Sequence, residues 1–281
     1  MTSPPSWQKK SFYILQFLLL CFISSRIQAE IFQWTDEKGN KHYSDKARQG
    51  AKQLTIQTGY SYYQVKKVYD GDTILLTNGN KIRFLGINTP EVEGRQKSAQ
   101  AGGEEAKRWL QQKLKNKKVR LEKDAEYKDK YGRLLAHVFT EDNQHINFQL
   151  VEKGLASVNI YPPNFKYNDD LLKAEKQAEL SGLGIWGYSE YSPKPASQIN
   201  HGSYKGWQRV QGRVEAIRQT RKYSYLKLSE TFAIKLANKS KALFPSLNSY
   251  KGKQIEVRGW INKHKNNYSL FVRHPSAIQI K

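Results

Sequence analysis

The sequence contains almost no cysteine: Cys21 is the single one among 281 residues. It lies in an apolar run from Phe12 to Ser24, close to the N-terminus. Removal of the first 29 residues would therefore leave no thiol, which excludes disulfide bonds and cysteine-based zinc sites from the rest of the chain. About 250 remaining residues can bury a sufficient core without such cross-links. We expect one large domain or two to three small ones, held by packing alone.

The sequence also lacks a long hydrophobic run. The run 12–24 covers 13 residues, whereas a membrane-spanning helix needs roughly 20. Lys9 and Lys10 precede it, and Ile27-Gln28-Ala29 follows it with a small residue at the end. A basic start, a short apolar segment and a small exit residue predict a signal peptide, 1–29, cleaved near Ala29. A membrane anchor is the alternative. We expect a secreted or periplasmic mature protein without a stable membrane span.

Acidic residues are scarce. The chain has 25 Asp and Glu against 47 Lys and Arg, for a formal net charge of +22. The excess is concentrated in residues 200–281, where 17 cations face 3 acids, while residues 60–199 hold 22 and 18. Such an excess is typical of proteins that bind polyanions: nucleic acid, an acidic envelope polymer or an anionic membrane surface. A charge that merely improves solubility is the alternative.

The first unit after the predicted signal peptide is 30–58. It contains the pattern W-x-D-x-x-G-x-x-x-Y-S-D, in which two short strands flank a turn at Lys38-Gly39-Asn40. The pattern resembles a small domain of unknown function at the N-terminus of exported bacterial proteins. We expect Trp34 and Tyr43 to pack across this hairpin rather than to bind a ligand.

The second unit, 60–190, has the order three strands, helix, two strands. This order predicts a mainly β, α+β fold: a five-stranded barrel of the OB type with added helices. Asn78-Gly79 indicates a tight hairpin that would place Asp72 opposite Leu85 or Gly86. The strands are expected at 62–69, 73–77, 81–87, 118–123 and 133–140, with helices around 106–114, 146–153 and 168–181.

The third unit, 206–281, follows a linker predicted at 191–205 from its prolines and serines. Its short strands predict a second small β-barrel, OB-like and basic. Barrels of this kind bind nucleic acid through cationic grooves and stacking faces. Its aromatic residues could serve such a face or form the core, and both interpretations stay open: Trp207, Tyr223, Tyr225, Trp260, Tyr268 and Phe271.

Charged residues in the second unit fall where packing would not place them. Arg83 interrupts the apolar strand 81–87, which is costly unless the guanidinium is paired or borders a polar site. The hairpin brings Asp72 towards the segment after this strand, which carries Asn88 and Glu91. Oxygen ligands of this kind suit calcium or magnesium rather than zinc or copper.

Three motifs occur in order along this unit: Asp70-Gly71-Asp72-Thr73, Arg83-x-x-Gly86-x-Asn88-Thr89-Pro90-Glu91 and Asp129-Lys130-Tyr131-Gly132-Arg133. Together they resemble the three signatures of the thermonuclease (staphylococcal nuclease-like) family. Gly154-Leu155-Ala156 and Gly184-Ile185-Trp186 agree more weakly, and the resemblance covers about 62–188. It implies an endonuclease that hydrolyses phosphodiester bonds of DNA and/or RNA, depends on calcium and leaves 3′-phosphate ends.

The resemblance also implies a metal site. One Ca²⁺ would be bound by Asp72, Asn88 and the carbonyl oxygen of Thr89. The best-studied pattern of the family has aspartate in place of Asn88. The amide removes one negative charge, so we expect weaker calcium binding.

The remaining roles implied by the resemblance concern the substrate. Glu91 would orient or activate the attacking water. Arg83 and Arg133 would grip the scissile phosphate, because a planar guanidinium meets phosphate oxygens bidentately. Lys130 and Tyr131 would contact neighbouring phosphates.

Two other classes of function remain open. A barrel of this type can bind nucleic acid without cleaving it, and loss of Arg83 or Glu91 would have favoured that class; both are present. The basic C-terminal unit could instead bind an acidic envelope polymer. The sequence indicates no protein partner.

Overall fold

A computed structural model describes residues 31–54, 60–94 and 98–281. The predicted signal peptide, 1–29, lies outside these ranges. Within them, no helix combines the length and apolar character needed to cross a membrane. The chain divides into two compact units, Met1–Gly59 and Tyr60–Lys281.

The N-terminal unit contains a three-stranded antiparallel sheet in the order β2-β1-β3. The strands are β1 (Ile31–Thr35), β2 (Lys41–Ser44) and β3 (Lys52–Leu54); the third was not predicted. The register pairs Trp34 with His42, and their rings stack at 5.4 Å. The Tyr43 side chain, in contrast, is 60% exposed to solvent. The expected cross-strand packing therefore holds for Trp34 and is wrong for Tyr43.

The next unit begins with a closed five-stranded barrel, as the sequence predicts, and its strands pair in the order β4-β5-β6-β9-β8. The pair β6–β9 is parallel and the other pairs are antiparallel. The strands are β4 (Tyr62–Asp70), β5 (Thr73–Leu76), β6 (Lys81–Phe84), β8 (Lys118–Glu122) and β9 (Leu134–Thr140), with β7 (Ile87–Asn88) following β6. We call this the nuclease-like barrel.

Three helices close this barrel. Helix α1 (Gly103–Leu114) buries Ala106, Leu110 and Leu114, one predicted apolar stripe, against the barrel core. Helices α2 (Ile146–Glu152) and α3 (Asn168–Leu180) pack together beside β10 (Ser157–Val158), which pairs with β7. The core is continuous from the barrel into these helices.

The β5–β6 hairpin differs from the sequence expectation by one residue. Leu76 pairs with Asn80, so three residues rather than two form the loop, and Gly79 takes a φ of +85°. A three-residue loop with glycine in the left-handed region is a common alternative to the two-residue turn. As a result the Asp72 carbonyl accepts from the Phe84 N–H at 2.9 Å, so Asp72 lies opposite Phe84 rather than Leu85 or Gly86.

The C-terminal strands form a second β domain, which we call the accessory barrel. They are β12 (Trp207–Arg213), β13 (Ala216–Gln219), β14 (Tyr223–Lys227), β15 (Phe232–Ala237), β16 (Gln254–His264), β17 (Asn267–Val272) and β18 (Ile278–Ile280), after β11 (Lys194–Pro195). The pairings run β12-β16-β17-β15-β14-β13, and only Val214 and Glu215 separate β13 from β12. If β12 and β13 count as one bent strand, the ring is complete, with β15–β17 parallel. This is the strand order of the nuclease-like barrel.

The segment 191–205, predicted as a linker, carries ordered structure. Lys194 and Pro195 pair in parallel with β12, and Ala196 and Ile199 are buried in the accessory core. Prolines and serines indicate a break in regular structure, but they do not show that neighbouring apolar side chains are buried. The domain bounds 60–190 and 206–281 stay a proposal, since both barrels belong to one compact unit.

A buried ionic cluster joins α3 to the accessory barrel. Arg258 donates to Glu179 at 2.6 Å and lies 3.4 Å from Glu175, and Arg209 also pairs with Glu179. The ring of Trp186 covers both guanidinium groups: the guanidinium carbon lies 5.4 Å from the ring centroid in Arg209 and 5.1 Å in Arg258. Two cations of one barrel thus face two carboxylates of the other.

Glu256 of β16 completes the cluster. It accepts from Arg209 and Arg258 at 2.8 Å each and pairs with Lys281 at 2.9 Å. Burial alone would raise its pKa, but the hydrogen bond from Arg209 and the charge of Arg258 outweigh burial and lower the pKa to about 2. Burial raises the pKa of Glu175 to about 7, an effect that Arg258 offsets only in part.

Candidate active site

A cleft of about 680 Å³ opens on the nuclease-like barrel where β5 begins and where β6 and β7 end. It gathers carboxylate, amide and guanidinium groups from three motifs, and Asp72 and Arg133 are 61 positions apart in the chain. All eight residues singled out from the sequence border it: Asp72, Arg83, Asn88, Thr89, Glu91, Lys130, Tyr131 and Arg133.

Arg83 lies at the floor of the cleft and is fixed from several sides. One Nη donates to the carbonyls of Phe84 and Ile87, at 2.6 and 2.9 Å. The other pairs with Asp72 at 3.0 Å and donates to the Asn88 side chain at 3.2 Å. These partners explain how an arginine is tolerated in an apolar strand, as the sequence requires.

The predicted metal ligands are buried together. Asp72 is 5%, Asn88 8% and Thr89 3% exposed. The Thr89 N–H donates to Asp72 at 2.9 Å, and the Asn88 amide donates to the Thr89 carbonyl at 2.9 Å. One carboxylate, one amide oxygen and one carbonyl oxygen form a donor set that fits a hard cation. In the described part of the chain, no three His, Cys, Asp or Glu side chains group as metal ligands; the donor set here has a single carboxylate, Asp72, with two neutral oxygens.

A second carboxylate, Asp70, borders the same cleft. Its side chain accepts the Asp72 N–H at 3.1 Å and so shapes the turn between β4 and β5. Burial, and then the neighbouring charge of Asp72, raise the pKa of Asp70 to about 6. Two adjacent carboxylates increase the negative potential that a cation would meet.

Gly71 lets the two predicted ligand segments approach. A Cβ on Gly71 would lie 2.6 Å from a Thr89 methyl group and 2.7 Å from Ala106. The residue between Asp70 and Asp72 must therefore be small because Thr89 and α1 both pack on it.

Glu91 is held by the loop that precedes α1. Its N–H donates to the Gln100 side chain, and its carbonyl accepts the Gln100 N–H, both at 2.9 Å. The first residue of α1, Gly103, lies so close that a Cβ there would stand 2.4 Å from the Glu91 carbonyl oxygen. The glycine lets the helix N-terminus approach and position the Glu91 backbone.

Arg133 is positioned by the turn that precedes it. Asp129 accepts the N–H groups of Tyr131 and Arg133 through one oxygen and the Arg133 Nε at 2.7 Å through the other. Gly132 supplies the positive φ, +80°, that closes the turn. Burial raises the pKa of Asp129, but the hydrogen bond from Arg133 outweighs burial and lowers it. The motif Asp129–Arg133 thus fixes the position of the Arg133 guanidinium group.

Lys130 and Tyr131 lie at the rim of the cleft. Tyr131 is 73% exposed, and the Lys130 ammonium lies 4.8 Å from its ring centroid. Exposure of both side chains suits contact with an extended ligand rather than with the reacting group.

Comparisons with known proteins agree with this geometry. The family described as staphylococcal nuclease homologue matches residues 81–188. A thermonuclease of Staphylococcus intermedius is 41% identical over 127 residues, which are 44% of this chain and 75% of that protein. The chain belongs to the staphylococcal nuclease family. This assignment supports a nuclease, a hydrolase of phosphodiester bonds, and confirms the resemblance found in the motifs.

Further relatives of this staphylococcal nuclease homologue extend the comparison. Endonuclease YncB of Bacillus subtilis (strain 168) is 33% identical over 161 residues, 56% of this chain and 76% of that protein. An uncharacterized protein of Methanocaldococcus jannaschii is 32% identical over 199 residues, 62% of this chain and 95% of that protein. A domain of unknown function, DUF4124, matches residues 18–62, in agreement with the hairpin pattern.

The structure adds cleft residues that sequence reasoning did not assign. The sequence places Asp129 in a motif without indicating its role, and it assigns no role to Tyr161. Trp260 and Arg273 belong to the accessory barrel, outside the family match at 81–188, yet both border the cleft. Only the packing of the two barrels brings them there, so no local pattern could have indicated it.

Proposed function

We propose that this member of the staphylococcal nuclease family is a calcium-dependent endonuclease that hydrolyses phosphodiester bonds of DNA and/or RNA. The observation that carries the proposal is the convergence, in one cleft, of Arg83, Glu91 and Arg133 beside three hard oxygen donors. Relatives named thermonuclease and endonuclease support it.

In this proposal Asp72, Asn88 and the Thr89 carbonyl hold one calcium ion. When bound, the ion would polarise a phosphate oxygen and orient the substrate. The close packing of Thr89 on Gly71 and the hydrogen bond from its N–H keep this residue beside Asp72.

Glu91 serves as the group that orients the attacking water and accepts its proton. The water oxygen bonds to phosphorus, the bond from phosphorus to the 5′ oxygen breaks, and a proton is returned to that leaving oxygen. The products are a 3′-phosphate and a 5′-hydroxyl end, as the family resemblance implies.

Arg83 and Arg133 bind the non-bridging oxygens of the scissile phosphate. Both are held in place before substrate arrives, Arg83 by Asp72 and backbone carbonyls and Arg133 by Asp129. Preset cations stabilise the charge that grows in the transition state. Lys130 and Tyr131 contact the phosphates on either side.

The test is cleavage of plasmid DNA and of a long RNA by the purified chain, with calcium or with a chelator. We expect cleavage only with calcium, and 3′-phosphate ends on the products. Binding without cleavage under all conditions would contradict the proposal. It would favour the alternative, a nucleic-acid- or envelope-polymer-binding protein with a degenerate nuclease barrel.

We also propose that the protein is exported to the periplasm or beyond the cell, with cleavage of residues 1–29. The support is the order of basic, apolar and small residues before Glu30. N-terminal sequencing of the protein recovered outside the cytoplasm should begin near Glu30. An intact N-terminus on exported protein, or retention in the cytoplasm, would refute it.

A further inference from the structure

The candidate active cleft continues onto the accessory barrel. A second cavity, of about 480 Å³, adjoins the first between the two barrels. The residues that border both cavities come from both barrels, and we call them the inter-barrel groove: Lys130, Tyr131, Asn159, Tyr161, Trp260 and Arg273.

Arg273 is the central cation of this groove. It is exposed, and its guanidinium carbon lies 4.4 Å from the ring centroid of Tyr161 and 4.8 Å from that of Phe271. Tyr161 belongs to the nuclease-like barrel and Phe271 to β17, so the guanidinium is stacked across the junction. Among the described residues its recorded contacts are these two aromatic rings, and its side chain is exposed.

Trp260 supplies an aromatic surface to the same groove. It is partly buried, pairs with Trp207 in the β12–β16 register and packs on the cluster of Ile185, Tyr191 and Trp207. Its remaining surface borders both cavities. A partly buried indole that borders the same cavities as a guanidinium is suited to stacking an unpaired base.

The ionic cluster fixes this surface relative to the active cleft. Residues two apart on a strand share one face, so Glu256, Arg258 and Trp260 of β16 point to the same side. Glu256 and Arg258 are locked into the cluster with α3. The strand that anchors the accessory barrel therefore also sets the position of Trp260.

We infer that the inter-barrel groove is a binding site for the single-stranded nucleic acid that flanks the scissile phosphate. Arg273 binds a phosphate and Trp260 stacks a base, which extends the substrate track from Arg83 and Arg133 onto the accessory barrel. This inference rests on the proposed nuclease function. It assigns a specific role to two residues outside the family domain.

The test is equilibrium binding in chelator, where no cleavage is expected, of labelled oligo-dT and oligo-U of two and eight nucleotides. We expect the eight-mers to bind more tightly, and Arg273→Ala to weaken eight-mer binding about tenfold through loss of a charge-assisted contact. The log–log salt slope should fall by about 0.7, the share of one single-strand phosphate contact. Arg273→Lys should restore the slope and only part of the affinity, because the stacked planar fork is lost.

Arg213→Ala is the matched control. Arg213 is also exposed on the accessory barrel, but it lies at the far end of β12 from Trp207, about 20 Å away by strand length. It borders neither cavity. Equal eight-mer affinities and salt slopes for Arg273→Ala and Arg213→Ala, in both the DNA and the RNA arm, would overturn the inference. Weaker binding of oligo-dT or of oligo-U by Arg273→Ala than by Arg213→Ala supports the inference. Which of the two oligonucleotides is affected shows whether the groove accepts deoxyribose or ribose.

The stacking role has its own test. An abasic eight-mer keeps the phosphates and lacks the bases, so it should bind the wild type more weakly, and Trp260→Ala should not weaken it further. Equal binding of the normal and abasic eight-mers to the wild type would refute stacking. All these binding measurements are made without calcium, whereas catalysis is measured only in the plasmid assay. Failure of the proposed nuclease function can therefore be told apart from failure of the proposed binding site.

Discussion

The Arg133 side chain depends on one neighbouring carboxylate. Asp129 accepts two backbone N–H groups of its turn and the Arg133 Nε, so the same residue shapes the turn and aims the guanidinium. The aspartate of the motif is therefore a positioning residue, and the arginine is the group proposed to touch phosphate.

Replacement of Arg133 by lysine should reduce kcat substantially, by about 10²-fold or more, because a point charge cannot replace a bidentate fork. Asp129→Asn should reduce kcat less, because its amide still offers one acceptor oxygen, and it should leave the thermal unfolding temperature nearly unchanged. Steady-state kinetics on a short oligonucleotide give both values. Near wild-type kcat for Arg133→Lys would remove Arg133 from the phosphate site.

Asn88 is where this chain departs from the best-studied family pattern. Asn88→Asp should tighten calcium binding, because it restores a charged oxygen beside Asp72. The native affinity would then lie in the weak range of extracellular calcium modules, about 10⁻⁴–10⁻³ M. Calorimetric titration of both proteins measures the difference; identical affinities would show that residue 88 is not a ligand.

The N-terminus of helix α1 acts as a support for the loop that carries Glu91. The contact is backbone to backbone, so it leaves no room for a side chain at Gly103. A helix that contributes no residue to the cleft thereby determines where the backbone of the proposed general base stands.

Gly103→Ala should lower kcat while the barrel stays folded, because a Cβ at 2.4 Å from the Glu91 carbonyl must displace that loop. Gly94→Ala is the control on the same loop, since a Cβ there meets nothing within 4 Å and φ is not positive. Activity and circular dichroism of the two variants give the comparison. Equal activity would mean that the Glu91 backbone position is not critical.

Most elements of the nuclease-like barrel could be predicted because alternating apolar residues and turn signals agree with the final fold. The strand β3 could not, since Lys52–Leu54 is short and largely polar. The one-residue shift at Asp72 arose because Asn78-Gly79 fits both a two-residue and a three-residue loop. The ordered structure of Lys194–Ile199, within the predicted linker, depends on burial against the accessory core. Such burial is a tertiary effect that a local sequence pattern does not show.

Across the whole molecule, part of the C-terminal positive charge has a structural role. Arg209, Arg258 and Lys281 belong to the 17 cations of residues 200–281, yet they pair with Glu179 or Glu256 inside the protein. The aromatic residues are similarly divided: Trp207 and Tyr268 are buried, while Trp260 borders the cleft. Composition alone could not separate these roles.

The ionic cluster predicts a pH dependence of stability. The folded pKa of Glu256, about 2, lies below its ordinary 4.5, so its ionisation stabilises the folded chain above pH 4.5. This contribution is lost as the pH falls towards 2. Glu256→Gln should lower the free energy of unfolding at pH 7 by about 3–5 kcal/mol, because the arginines lose a buried partner. The variant should also lose less of its unfolding free energy than the wild type as the pH falls.

Denaturant unfolding between pH 3 and 7 tests this, with Glu230→Gln as the control on an exposed carboxylate of the same barrel. Glu175 should show the opposite sign: its pKa is raised from 4.5 to about 7, so its contribution is lost as the pH rises through 7. Parallel pH curves for wild type and Glu256→Gln would argue against an ionised Glu256 in the folded state.

The central claim is that Arg83, Glu91 and Arg133 form one catalytic unit in this cleft. Single-turnover cleavage of a labelled oligonucleotide in saturating calcium tests it, with wild type and with Arg83→Ala, Glu91→Ala and Arg133→Ala. We expect each variant to lose about 10²–10³-fold or more in rate, as for removal of one preset electrostatic partner, while its thermal unfolding stays cooperative. Rates within a few-fold of wild type for all three variants would contradict the account.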